Sequence, residues 1–353
     1  IGYDIAVASD GQPYIVGDTY SQDYPTYNAY QVSYGGGDMW GGDAFVSGLS
    51  ANGSSLIYAS YLGGVGYDYG NGICNIEQSA YCAVGYSGST DFPTCNPYQA
   101  FVSNMGDAFI AILSKNGSTM IASTYYGGSS YDSAYDVASC DGDIYVSGKT
   151  ISYDFPIVNA YQCSYSGGSY LDPGDVFVAR ISSSGEQIMF STYLGGNDGD
   201  NGTSISVDVS GNAYMAGCTK SHNFPTVSAY QSSIHPGEYD SFVLKLSSSG
   251  SRLIYSTYLG GSAEDRGENL AVDSLGCVYM SGSTESEDYP TIDAYQASYA
   301  GAIDTFVSKF RWEPSPTPTP ILPIVTMENG DYDGDGTSEI AIFRPATGSW
   351  KLS

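Results

Sequence analysis

The chain has 353 residues, room for one large repeat domain with an appendage, and 38 acidic against 11 basic residues give it a formal net charge of -27. Such a surface repels phosphate backbones and anionic membranes, which excludes nucleic acid as a natural partner and favours divalent cations. No run approaches the roughly 18–20 apolar residues that span a bilayer, so no membrane-spanning helix is expected.

The first residue is Ile1 rather than Met, which reads as a processed or partial chain whose signal peptide is already gone. With 34 tyrosines, much Gly and Ser and few lysines, the composition suits a secreted or cell-surface scaffold. Four strand-like runs come first, at residues 5–8, 14–17, 44–49 and 56–62, each rich in β-branched and aromatic residues and bounded by Gly, Asp, Ser or Pro. Later copies begin at 73–76, 137–140 and 205–208, and the last has runs at 270–273, 278–281 and 305–310. An aromatic-Pro pair marks every copy, and its prolines, Pro25, Pro93, Pro156, Pro225 and Pro290, lie 68, 63, 69 and 65 residues apart. A four-strand period of this length is the mark of propeller blades.

The phrase Ser/Thr-Tyr-Leu/Tyr-Gly-Gly closes the copies at 60–64, 124–128, 192–196 and 257–261, four times against five copies of everything else. The expected fold is therefore all-β: a β-propeller of five four-stranded repeats over residues 1–312, whose last blade lacks its closing strand in this chain. An unfinished blade leaves an edge that invites strand pairing. The strand is expected from the chain's tail, from a neighbouring molecule or from residues upstream of Ile1. Residues 313–323 are a Pro/Thr/Ser-rich linker, an extended spacer of polyproline type. Residues 324–353 carry two strand-like runs, at 339–343 and 349–352, a half-blade that is marginal without a partner sheet.

The five copies resemble the SBBP β-propeller repeat through the run from Tyr-Leu-Gly-Gly to Phe-Pro-Thr, Ala-Tyr-Gln and Asp-x-Phe-Val, over about residues 1–310. That resemblance implies a propeller fold and an extracytoplasmic location, with no common activity. The tail resembles the FG-GAP/VCBS repeat through residues 330–336 and 339–345, which implies calcium bound by that loop.

The sharpest candidate site is Asp331, Asp333, Asp335, Thr337 and Glu339. Alternate carboxylates on a tight loop with a final bidentate acid supply most of the six to eight oxygens that calcium takes. Acidic residues at repeated positions, Asp68, Asp132, Asp200 and Asp265 and again Asp43, Asp107, Asp175, Asp240 and Asp304, read as caps for loop amides, because a catalytic residue need occur only once. The tyrosines of the Ala/Pro-Tyr-Gln triplets, Tyr30, Tyr98, Tyr161, Tyr230 and Tyr295, read as blade packing, with a sugar platform as the alternative. Asn52, Asn116 and Asn201 head N-x-Ser/Thr sequons and are candidate glycosylation sites, although Asn-Gly is also a hairpin turn. Of seven cysteines, Cys74 and Cys82 flank one hairpin and are the candidate disulfide, with buried free thiols the alternative. The two histidines, His222 and His235, sit in no metal-ligand or triad spacing.

The function expected from these residues is a non-enzymatic extracellular protein that self-assembles into a polymer or filament by strand addition between subunits. The tail, or the stretch near 321–326, would then be the donor, and removing residues 313–353 would abolish the polymer. A monomeric adhesin binding surface glycans or protein is the alternative. A glycan-cleaving enzyme with two facing carboxylates is a third reading.

Overall fold

The computed structural model describes residues 1–36, 42–76, 80–167, 174–235 and 239–311, together with the backbone of 342–344 and 349–351. The first blade is the meander β1 (Gly2–Val7), β2 (Pro13–Thr19), β3 (Asp43–Leu49) and β4 (Leu56–Leu62). The second is β5 (Asp68–Ile76), β6 (Ala80–Ser87), β7 (Asp107–Ser114) and β8 (Met120–Tyr126). The third is β9 (Asp132–Cys140), β10 (Asp143–Thr150), β11 (Asp175–Ile181) and β12 (Ile188–Leu194). The fourth is β13 (Asp200–Val207), β14 (Ala213–Thr219), β15 (Asp240–Leu246) and β16 (Leu253–Leu259). The fifth stops at three strands, β17 (Asp265–Val272), β18 (Cys277–Thr284) and β19 (Asp304–Arg311), and the tail adds the antiparallel pair β20 (Ile342–Arg344) and β21 (Ser349–Lys351).

First strands from the second blade on begin earlier than the apolar pattern suggests. In β5 the ladder already runs at Asp68, paired with Ser87, and passes a bulge between Gly70 and Gly72 before reaching Ile73. That stretch, Asp-Tyr-Gly-Asn-Gly, reads as loop by composition. It is strand because β6 lies alongside and takes up its backbone groups.

Alternate residues of each strand point to the two neighbouring blades, so cores form between blades. Tyr14, Val16, Val46 and Tyr58 of the first blade pack against Ile73, Tyr81, Phe109 and Leu113 of the second. Cys82, Val84 and Ile110 on the opposite face of the second meet Val137, Val146 and Phe177 of the third. The junctions of the third with the fourth and of the fourth with the fifth repeat this arrangement. The rings of Tyr58 and Tyr81 stack across the first junction, with centroids 5.3 Å apart and planes 6° from parallel. This is the five-bladed β-propeller array that the repeat period implies, its last blade one strand short among the described residues.

The disulfide reading is not borne out. Cys74 and Cys82 are paired in register across β5 and β6, yet both are free thiols. Residues directly opposite in an antiparallel pair hold their Cβ atoms about 4.5–5.5 Å apart, whereas a disulfide draws them to about 3.5–4.5 Å. Both side chains lie in the core between the second and third blades, the role of small hydrophobes. Cys218 and Cys277, at neighbouring blades, are free as well.

Candidate functional site

One constellation recurs at the same edge of every blade, and it starts with an acid. The first residue of β3, Asp43, is buried, and its Oδ2 accepts the N–H of Gly35 at 2.7 Å and the Gln31 carboxamide at 3.3 Å. Gln31 lies in the long loop between β2 and β3, just after a left-handed residue, Asn28 (φ 46°). The same turn recurs at Asn96, Asn159, Ser228 and Asp293, residue types with short polar side chains that tolerate it. It aims the glutamine back at the blade edge.

There the glutamine clamps the closing strand. Its backbone N–H donates to a hydroxyl in the strand: Gln31 to Ser60 Oγ (2.9 Å), Gln99 to Thr124 Oγ1 (2.8 Å), Gln162 to Thr192 Oγ1 (2.9 Å) and Gln231 to Thr257 Oγ1 (2.9 Å). Its Oε1 accepts the next glycine N–H, from Gly63 (3.1 Å), Gly127 (3.0 Å), Gly195 (3.2 Å) and Gly260 (3.0 Å). The tyrosine between hydroxyl and glycine reaches the start of the same loop: the Tyr61 hydroxyl accepts the Tyr24 N–H (2.9 Å) and donates to the Ser21 carbonyl (2.7 Å). Tyr125 and Tyr193 make the same pair of bonds, and Tyr258 donates to the Ser221 carbonyl at 2.6 Å. The closing phrase recognised in the sequence is therefore a strand read residue by residue by its own blade.

The glycine that follows also fits between two acids. A Cβ at Gly127 would lie 2.6 Å from Asp132 Oδ2 and 2.8 Å from Asp107 Cγ. Asp132 Oδ2 takes the N–H of Gly128 (2.7 Å) and the hydroxyl of Ser152 (2.8 Å), so acids of consecutive blades meet at each junction as caps for loop amides. Burial pushes Asp43, Asp132 and Asp175 up to about 7, Asp240 to about 6 and Asp200 to about 8. Among the described residues no group of three or more His, Cys, Asp or Glu is placed to hold a metal.

In the fifth blade the reading apparatus stands without its strand. Gln296 is held as in the other blades, its Nε2 donating to Asp304 Oδ2 (3.2 Å) and to the Ser298 carbonyl (3.1 Å). Asp304 Oδ2 still takes the Ala300 N–H at 2.7 Å. Among the described residues no strand pairs with the outer edge of β19, and Gln296 is exposed where the other four glutamines are half-buried.

The remaining sequence candidates fall elsewhere. Asp331, Asp333, Asp335, Thr337 and Glu339 lie outside the described residues. Asn52 and Asn116 are exposed at the turns after β3 and β7, while Asn201 sits half-buried within β13. Tyr30, Tyr98 and Tyr295 are exposed, and it is the glutamine beside each, bonded to the acid that opens the blade's third strand, that does the binding. A groove of about 460 Å³ between the second and third blades is lined by Phe101, Asn104, Ser129 and Asp154. Phe101 stands exposed where the other copies have Ser33, Ser164, Ser233 and Ser298.

A family model for the SBBP β-propeller repeat matches residues 190–225 and 254–290. No curated protein matches. Among solved structures, a protein of unknown function from Dyadobacter fermentans DSM 18053 is 9% identical with a TM-score of 0.47, covering 93% of this chain and 83% of its own. The RS223 β-xylosidase is 13% identical with a TM-score of 0.36, covering 91% of this chain and 95% of that one. The computationally designed Ika8 protein is 8% identical with a TM-score of 0.33; the match takes in 67% of this chain, which spans about half, 52%, of the designed one. The matched segments run from the closing strand of one blade to the aromatic-Pro pair of the next, the unit seen five times here, and these two stretches are similar to the SBBP-type β-propeller repeat.

Proposed function

We propose that the chain is a non-enzymatic structural protein of the cell exterior that joins to further copies of itself end to end. The observation that carries this reading is that the two end blades present uncovered faces. Ile5 and Val7 of the first blade are 58% and 61% exposed, whereas Ile73, the counterpart of Ile5 in the second blade, is 3% exposed beneath its neighbour. Ile15 and Leu49 on the same face are half-buried, and their counterparts Ala83 and Leu113 are fully covered. At the other end Val307 is half-buried where Val243 is covered by the next blade. Unmatched halves of one kind of junction favour a heterologous, head-to-tail contact, which propagates unless it closes. A strand added at the free edge of β19 would complete the joint. Calcium at Asp331, Asp333, Asp335, Thr337 and Glu339 belongs to the same reading, as a cation suited to a chain of charge -27.

Sedimentation of the full chain over a range of concentrations, with negative-stain microscopy, tests it. Growing oligomers that Ile5→Glu disperses are expected; a monomer at every concentration would sink the idea. A second reading, a glycan-binding adhesin, is favoured by the unrepeated Phe101 beside Asp154, an aromatic face next to an acid. Loss of glycan-array binding in Phe101→Ser would support it.

A further inference from the structure

We infer that the fifth blade is a peptide-binding slot, between β19 and the loop at 292–296, selective for an extended strand of the form Ser/Thr-Tyr-Leu-Gly-Gly. The inference rests on the strand addition proposed above and names what that strand must be.

Three recognition elements are in place. The Gln296 carboxamide is fixed by Asp304 and the Ser298 carbonyl. Its Oε1, which in the other four blades accepts a glycine N–H at 3.0–3.2 Å, meets no described donor. The carbonyl of Ser286 and the N–H of Tyr289 occupy the positions at which the other blades grip a tyrosine hydroxyl, as Ser89 and Phe92 grip Tyr125. Among the described residues they meet only each other, at 3.4 Å, whereas Ser221, which Phe224 also contacts at 3.2 Å, takes the Tyr258 hydroxyl as well. Finally, loop residues bridge to the outer edge of the closing strand in four blades, at Tyr27 and Gln31, Cys95 and Gln99, Val158 and Gln162, and Val227 and Gln231. The corresponding Ile292 and Gln296 make no such bridge, so the slot offers backbone partners on both sides, β19 within and the loop without.

The selectivity follows from the geometry. A hydroxyl must meet the Gln296 N–H, a tyrosine must fill the gap between the Ser286 and Tyr289 backbones, and the next residue but one must be glycine, because the acid of the blade's own third strand, the counterpart of Asp304, closes to 2.6–2.8 Å on a Cβ at that position in the other four blades. Residues 312–353 contain no Ser/Thr-Tyr pair, so the strand that the slot selects is not the tail. Edge pairing supplies the backbone bonds and the side-chain contacts supply the specificity.

The probe is a fluorescein-labelled peptide of residues 253–262, Leu-Ile-Tyr-Ser-Thr-Tyr-Leu-Gly-Gly-Ser, titrated with the full chain and followed by anisotropy. Saturable binding is expected, weakened at least tenfold by Tyr258→Phe in the peptide and by Gln296→Ala in the chain. Hydrogen exchange should slow along β19 and at 292–296 when the peptide binds. No binding, or equal binding by a scrambled peptide, overturns the slot. Peptide binding by a chain that stays monomeric keeps the slot and removes the assembly. Assembly that the peptide neither blocks nor joins keeps the assembly and overturns the slot.

Discussion

The carboxamide oxygen of Gln231 accepts the N–H of Gly260 at 3.0 Å, tying the loop between the second and third strands of the fourth blade to the end of its closing strand. Gln231 Nε2 meanwhile donates to Asp240 Oδ2 at 2.9 Å. One side chain thus couples a loop, a strand end and a buried acid, and the fifth blade holds the same side chain with the strand missing.

Truncating that glutamine should cost stability only where the strand is present. In Gln231→Ala the Gly260 N–H loses its partner and the buried Asp240 Oδ2 loses one of its donors, keeping the His235 N–H, a loss of about 1–3 kcal/mol. In Gln296→Ala no strand is released. Thermal melts of both variants check this: a clear drop is expected for Gln231→Ala and none for Gln296→Ala, and equal drops would contradict the assignment.

A methyl group at Gly127 has no room. Placed 2.6 Å from Asp132 Oδ2 and 2.8 Å from Asp107 Cγ, the added carbon of Gly127→Ala must push two buried carboxylates apart, at about 1–3 kcal/mol or more. Denaturant unfolding should show a lowered midpoint. Gly53→Ala makes a control for sterics, since no atom lies within 4 Å of its Cβ, although its φ of +69° adds strain of its own.

Stability should fall as pH rises. The buried acids of the junctions titrate above the ordinary carboxylate range, near 7 for Asp132 and Asp175 and near 8 for Asp200. Between about pH 4 and those values the native chain holds protons that the unfolded chain has released, so their contribution is complete below pH 4 and lost through pH 6–8. Melting temperatures measured from pH 5 to 8.5 should decline, and Asp132→Asn should flatten the slope. A rise over that range would contradict the burial argument.

The core thiols should be silent. Burial pushes the thiols of Cys74 and Cys218 up to about 12, and both lie in the interior, whereas Cys163 is exposed. Ellman's reagent should label Cys163 rapidly in the native chain and reach Cys74, Cys82 and Cys218 only on unfolding. Reductant should leave the melting temperature unchanged, as expected for a hairpin held without a disulfide.

Calcium can be tested apart from the propeller. Calorimetric titration should show binding at about 10⁻⁴–10⁻³ M, lost in Asp333→Asn. Binding that survives this substitution would move the site elsewhere.

Sequence alone determined the blades, because a β-strand needs only local alternation and turn residues, and those repeat visibly from Ile5 to Phe310. It also determined that one blade is a strand short, since Tyr-Leu/Tyr-Gly-Gly can be counted. The structural role of the repeated acids followed from their repetition. Other features depend on residues far apart in the chain. The first strands extend back to Asp68 and its counterparts only because neighbouring strands take up their polar backbone. Cys74 and Cys82 looked like a bridge until register placed their Cβ atoms face to face at strand spacing. The glutamines carry no signal in the sequence beyond that of the tyrosines beside them, because a clamp is defined by what it grips, and Gln31 and Gly63 are brought together only when the fourth strand returns to the loop that precedes the third. Tertiary structure decided which repeated residue binds, since hydrogen bonds depend on distances that no local pattern encodes.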